Sequence, residues 1–127
     1  MHADRCLADQ ADYAKALTRR ATLTREWMAF FEQYAVVLTP VSGELPFPDH
    51  LDRKDDDSFK RVWEAQLPQI AIPFMGLPGL VVSTGLVGKA PVGVHIVSGR
   101  YREDLCLLAG EAIEAGGVPP SPIDPVG

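Results

Sequence analysis

The chain has no run of about 18 consecutive apolar residues, so no segment of its sequence is expected to cross a bilayer as a helix. Basic residues are too few to build a phosphate-binding stripe: 12 Lys and Arg stand against 17 Asp and Glu, a net charge of −5, which argues against a nucleic-acid partner. Cysteine is scarce. Cys6 and Cys106 stand far apart, in no metal-ligand or Cys-x-x-Cys spacing, and read as two reduced thiols of a cytoplasmic protein. Met1-His2-Ala3-Asp4-Arg5-Cys6 contains no apolar signal region, so no secretory leader is expected there. Charge is nearly missing from one stretch: between Gln66 and Gly99 only Lys89 carries one, the pattern of buried backbone with both sheet faces covered.

What remains is apolar enough to build a core. Hydrophobic residues make up 46% of the 127, which excludes an intrinsically disordered chain and suits one domain over residues 1–127. From Ala8 to Gln33 there is no Pro or Gly, and Tyr13, Leu17, Leu23, Trp27, Phe30 and Tyr34 recur at helical steps. A helix of that extent would be roughly 39 Å long, more than a chain this small packs along its full length, and suits lying across a larger body. Ala35-Val36-Val37-Leu38-Thr39 before Pro40 predicts a strand, and the three prolines between Pro40 and Lys54 predict an irregular loop. Asp55-Asp56-Asp57-Ser58 ahead of Phe59, Val62 and Trp63 predicts a helix start, where carboxylates suit the dipole. Pro68 and Pro73 predict a broken segment. Gly79–Leu86 and Pro91–Ser98, joined through Val87-Gly88-Lys89-Ala90, predict an antiparallel hairpin. Glu103-Asp104 open a helix to Glu114 with a wide apolar face, Gly116-Gly117 end it, and Pro119, Pro120, Pro122 and Pro125 predict an extended tail. The fold class expected is α/β: a mixed sheet containing the hairpin, covered by the long N-terminal helix and a C-terminal helix.

The residues that carry chemistry do not gather into a motif. Ser42, Ser58, Ser83, Ser98 and Ser121 lie in neither a Gly-x-Ser-x-Gly elbow nor a Ser-x-x-Lys. Lys15, Lys54, Lys60 and Lys89 sit in charged or turn contexts, as ordinary protonated lysines do. Gly76-Leu77-Pro78-Gly79 lacks the Lys and hydroxyl of a phosphate loop. The Asp55–Asp57 run lacks the further ligands of a metal site, and no cofactor is called for. His95 alternates with Val94 and Ile96 on a buried-looking strand and reads as a hydrogen-bonded polar group inside the sheet. Cys106, on the apolar face of a helix, reads as an inert thiol.

In order, Pro73-Phe74, Gly76-Leu77-Pro78-Gly79-Leu80-Val81-Val82, Gly85-Leu86, Pro91-Val92-Gly93-Val94-His95-Ile96-Val97 and Arg102-Glu103-Asp104-Leu105 resemble the C-terminal end of the amidase signature family. The upstream Trp27-Met28-Ala29-Phe30-Phe31-Glu32-Gln33-Tyr34 and Leu38-Thr39-Pro40 fit the same order. The resemblance implies a parent that hydrolyses carbon–nitrogen amide bonds with a Ser, a cis-Ser and a Lys. Those motifs lie upstream in the family's longer chains and match no position here, so the resemblance assigns no catalytic residue and implies a fragment inactive alone. It places Phe74, Met75 and Gly76 near the parent's substrate channel. It also implies a partner, an N-terminal amidase segment; for a stand-alone interaction module the uncharged hairpin would instead need a second copy of the chain as its cover. Ala35, Met75 and His95 depart from the acid, Asn and Gln common in the family, which leaves the substrate open.

Overall fold

The computed structural model describes residues 7–117. Cys6, His2 and the expected proline-rich tail lie outside the described residues.

Helix α1 spans Gln10–Phe31. The Asp9 carboxylate caps it, accepting from the Asp12 amide at 2.7 Å, and an uninterrupted run without Gly or Pro carries it on. Its C-terminal half packs by Leu23, Trp27, Met28 and Phe31, whereas Tyr13 and Leu17 remain exposed, so the N-terminal turns overhang the rest of the fold. Aromatic contacts stiffen the packed end, with Trp27 and Phe31 ring centres 5.6 Å apart and Phe30 and Tyr34 stacked at 4.5 Å.

Strand β1 is Val36–Pro40, followed by an irregular loop with one 3-10 turn at Leu51–Arg53. Helix α2, Asp56–Ala65, starts where the acidic run predicts, the Asp55 side chain accepting from the Ser58 amide at 2.7 Å. The segment expected to be broken is instead helix α3, Leu67–Met75. Pro68 sits in the first turn, where its missing N–H costs nothing, and Pro73 sits in the last, two residues before the helix ends. Gly76, at φ 69°, makes the left-handed cap.

Strands β2 (Gly79–Val87) and β3 (Ala90–Ser98) form the hairpin. Gly88 takes φ 63° in the two-residue turn, and Gly85, at φ 138°, lies beside a register shift in β2. The sheet order is β1-β3-β2. The α/β class and the hairpin are as expected, while both strand pairings are antiparallel, so the described sheet is antiparallel rather than mixed. The short turn fixes one pairing, and β1 enters on the far side of β3 in the same sense as β2.

Helix α4, Glu103–Ala115, covers one face, where Cys106, Ala109 and Ile113 meet Val36, Leu80, Val82, Val94 and Ile96. Gly110 permits that approach, since a β-carbon there would stand 2.7 Å from Leu80 Cδ2. On the other face α1 and α3 cover only one end, around Val97, Ile72, Met75 and Leu77. The uncharged hairpin is therefore not covered throughout: β3 is buried from His95 to Ser98, but Val81, Leu86 and Val87 of β2 are about half exposed. Among the described residues no helix is long and apolar enough to cross a membrane.

Candidate functional site on the open sheet face

His95 lies at the border between the covered and open parts of that second face. In the ladder it stands opposite Thr39 of β1 and Val81 of β2, so the three side chains share a face. The imidazole is 4% exposed. It lies against Gly79, where an added β-carbon would overlap Nε2. Burial pushes its pKa below the usual histidine range, so the ring is held neutral. The sequence predicts the burial, but the expected hydrogen-bonded partner is not there: Nδ1 has none among the described residues. The Thr39 hydroxyl, directly across the ladder, is also buried without a partner. Two unpaired polar atoms therefore meet on one face, a juxtaposition that sequence spacing hides because Thr39 and His95 lie on strands far apart in the chain.

Beside them opens a cleft of about 930 Å³ between the hairpin and the loop that follows β1. Val41, Leu45 and Phe47 form its loop wall; Val81, Ser83 and Gly93 form its sheet wall. Hydrogen bonds fix the loop. Ser42 Oγ donates to the Ala65 carbonyl at 3.3 Å and accepts from the Glu44 amide at 3.3 Å, and Gln69 Nε2 donates to the Val41 carbonyl at 3.0 Å. Arg61 donates from Nε to both carboxylate oxygens of Glu44 at 3.0 Å, an ion pair that lowers the Glu44 pKa and raises that of Arg61.

The three residues that the resemblance places near a channel lie at the end of α3. Phe74 is exposed, with the Arg20 guanidinium 5.8 Å from its ring centre. Met75 points into the core at 3% exposure, and Gly76 faces outward as the helix cap. The Thr24 hydroxyl contacts the Met75 carbonyl at 3.3 Å and ties this end of α3 to α1.

The serines and lysines are spread over separate settings. Ser98 Oγ donates to the Ala35 carbonyl at 2.7 Å, Ser42 fixes its loop and Ser83 lines the cleft. Lys15 pairs with Asp12 at 3.3 Å and Lys60 with Glu64 at 3.7 Å. Cys106 is buried against the Ile96 carbonyl, and desolvation, reinforced by Glu103 and Asp104, pushes its thiol pKa up. Among the described residues no group of three or more His, Cys, Asp or Glu is placed to hold a metal ion.

Comparison with known proteins places this arrangement. A family model described as Amidase matches residues 2–107. An indoleacetamide hydrolase of Bradyrhizobium japonicum is 38% identical over 107 residues, which is 84% of this chain and 23% of that protein. A glutamyl-tRNA(Gln) amidotransferase subunit of Desulforudis audaxviator is 31% identical over 104 residues, 82% of this chain and 20% of the relative. Among solved structures, the corresponding glutamyl-tRNA(Gln) amidotransferase subunit of Thermotoga maritima superposes with a TM-score of 0.66 at 25% identity, over 83% of this chain and 22% of that one. The chain thus spans about a fifth of the length of the relatives it matches.

Proposed function

The chain belongs to the amidase family, and from that premise we propose that it is the C-terminal portion of an amide hydrolase and does not itself carry the acyl-transfer centre. Its work is structural: β1, β2 and β3 extend a sheet, α4 backs it, and the end of α3 at Phe74, Met75 and Gly76 forms part of a substrate-channel wall. The observation that carries this reading is the open sheet face. Val81, Leu86 and the cleft beside them present apolar surface, and Thr39 and His95 present unpaired polar atoms, on a chain that matches only a fifth of its relatives' length. An N-terminal amidase segment is the partner such a face would receive. The settings of Ser42, Ser98, Lys15 and Lys60 support the inactivity of the chain alone, since each is engaged away from any serine–lysine pair.

Purified chain incubated with indole-3-acetamide or glutamine should release no ammonia. Hydrolysis by the chain alone, abolished by substituting one of its own serines, refutes the proposal. A second reading, self-association, rests on Leu38, Leu107 and Leu108, which extend the apolar exposure to β1 and the outer side of α4. Sedimentation equilibrium separates the two, because only the second expects a stable dimer of the chain by itself.

A further inference from the structure

Two guanidinium groups converge on Gly76. A β-carbon at that position would stand 3.3 Å from Arg100 Nη2 and 3.6 Å from Arg20 Nη2. The two side chains come from separate elements, Arg20 from α1 and Arg100 from the loop between β3 and α4. Among the described residues neither guanidinium pairs with a carboxylate, whereas Arg61 forks onto Glu44 and Arg102 onto Asp104. The C-terminus of α3 offers them only about half a unit of negative charge, which leaves a net charge of about +1.5 at the point of convergence. An oxyanion bridging the two head groups beside Gly76 would relieve the repulsion between the cations and accept their unused N–H forks.

The surroundings specify what the anion is attached to. The Arg20 guanidinium lies 5.8 Å from the Phe74 ring centre and that of Arg100 lies 6.0 Å from the Tyr101 ring centre. Tyr101 is 83% exposed and takes φ 61°, a left-handed conformation that a bulky residue rarely adopts. Local contacts hold this arrangement in place: the Arg100 amide donates to Met28 Sδ at 3.4 Å, and the Arg102 amide donates to the Gly99 carbonyl at 3.1 Å. Two exposed rings thus flank a pair of unmatched cations, of which Arg100 is carried by a fixed turn and Arg20 by α1.

We propose that Arg20 and Arg100, with Phe74 and Tyr101, bind the carboxylate of a small acid whose planar apolar body stacks on the rings. Such an acid is the chemical class released when an aryl amide is hydrolysed, but the site itself requires no turnover by this chain.

Titration calorimetry of the full chain with benzoate, acetate and inorganic phosphate tests it. Benzoate should bind saturably at one site, and acetate, which lacks the stacking body, should bind about tenfold more weakly. Arg20→Gln and Arg100→Gln should each weaken benzoate about tenfold by removing one fork, while Arg25→Gln, on the same helix and bonded to Thr22, should change nothing. Circular dichroism melts of the variants should match the parent, because neither head group is tied to a carboxylate among the described residues. The proposal is overturned by no saturable benzoate binding up to about 20 mM, by equal benzoate and acetate affinities, by phosphate binding more tightly than benzoate, or by a benzoate affinity that either variant leaves unchanged. The experiment reads binding alone, so its failure would leave the inactivity proposal standing, and the reverse.

Discussion

Thr39→Val should stabilise the chain. The two side chains have nearly the same shape, and both suit an extended strand, valine somewhat better. The difference is the hydroxyl, which in β1 is buried with no partner among the described residues. Burying an unpaired hydroxyl costs about 1–3 kcal/mol on mutational scales, and a methyl in its place costs nothing comparable and gains apolar burial. Thr39 as a whole is only partly buried, so the lower end applies. A gain of about 1 kcal/mol, or a rise of about 3–5 °C in melting temperature for a domain of this size, is expected. Urea titration followed by circular dichroism at pH 7.5 measures it, with an unchanged denaturant slope as the check that the unfolded state is the same. A variant destabilised by more than about 0.5 kcal/mol would mean that the hydroxyl has a partner in solution, and the account of this face as unsatisfied would fail.

His95 gives a pH signature in the same assay. Burial lowers its folded pKa below the ordinary 6.5, so the unfolded chain takes up the proton first: stability is full above pH 6.5 and declines as the pH drops below it, until the folded ring also protonates. The slope in that window is capped at about 1.4 kcal/mol per pH unit, the limit for one proton, and should vanish in His95→Gln; an unchanged slope in the variant would assign it to another group. Gly79→Ala should cost about 1–3 kcal/mol, because the new β-carbon overlaps the His95 ring. In a His95→Ala background the same substitution should cost little, and equal costs in both backgrounds would show that the ring is not what the methyl meets.

Much of the fold is legible in the sequence because its signals are local. The acidic run Asp55–Ser58, the Gly88 turn and the prolines after Thr39 each act within a few residues, and the structure places a helix start, the hairpin and the loop where they predict. The α3 segment misleads for a local reason too: proline counts as a breaker, yet Pro68 falls in the first turn, where an N–H has no intrahelical partner, and Pro73 forfeits a single ladder bond two residues before the helix ends. The uncharged stretch from Gln66 to Gly99 correctly marks the burial of β3 but overstates that of β2, since apolar sequence reports what a surface would bury and not whether a neighbour is present. The candidate site is the least legible part. Thr39 meets His95, and Arg20 meets Arg100, only through strand order and the lie of α1, and no spacing rule links residues so far apart in the chain.

The two sides of the sheet differ in a way that bears on the proposed role. Under α4 the packing is finished: Gly110 brings the helix onto Leu80, and Val82, Ile96 and Cys106 are buried. On the opposite side the packing is complete around Val97 and stops at His95, where burial without hydrogen bonding begins. A face that was simply a solvated surface would carry charged or hydrogen-bonded side chains, and this one carries Val81 and Leu86, partly exposed, beside a neutral imidazole. Any association through it must therefore be driven by apolar burial and directed by Thr39 and His95, one hydroxyl and one imidazole nitrogen awaiting complementary groups. Charge contributes little, because Lys89 in the hairpin turn is the only charged residue between Gln66 and Gly99 and Glu44 on the cleft's loop side is already paired with Arg61. On the proposed reading the contact is for that reason insensitive to salt, and the polar pair sets its register while the valine and leucine side chains supply its strength.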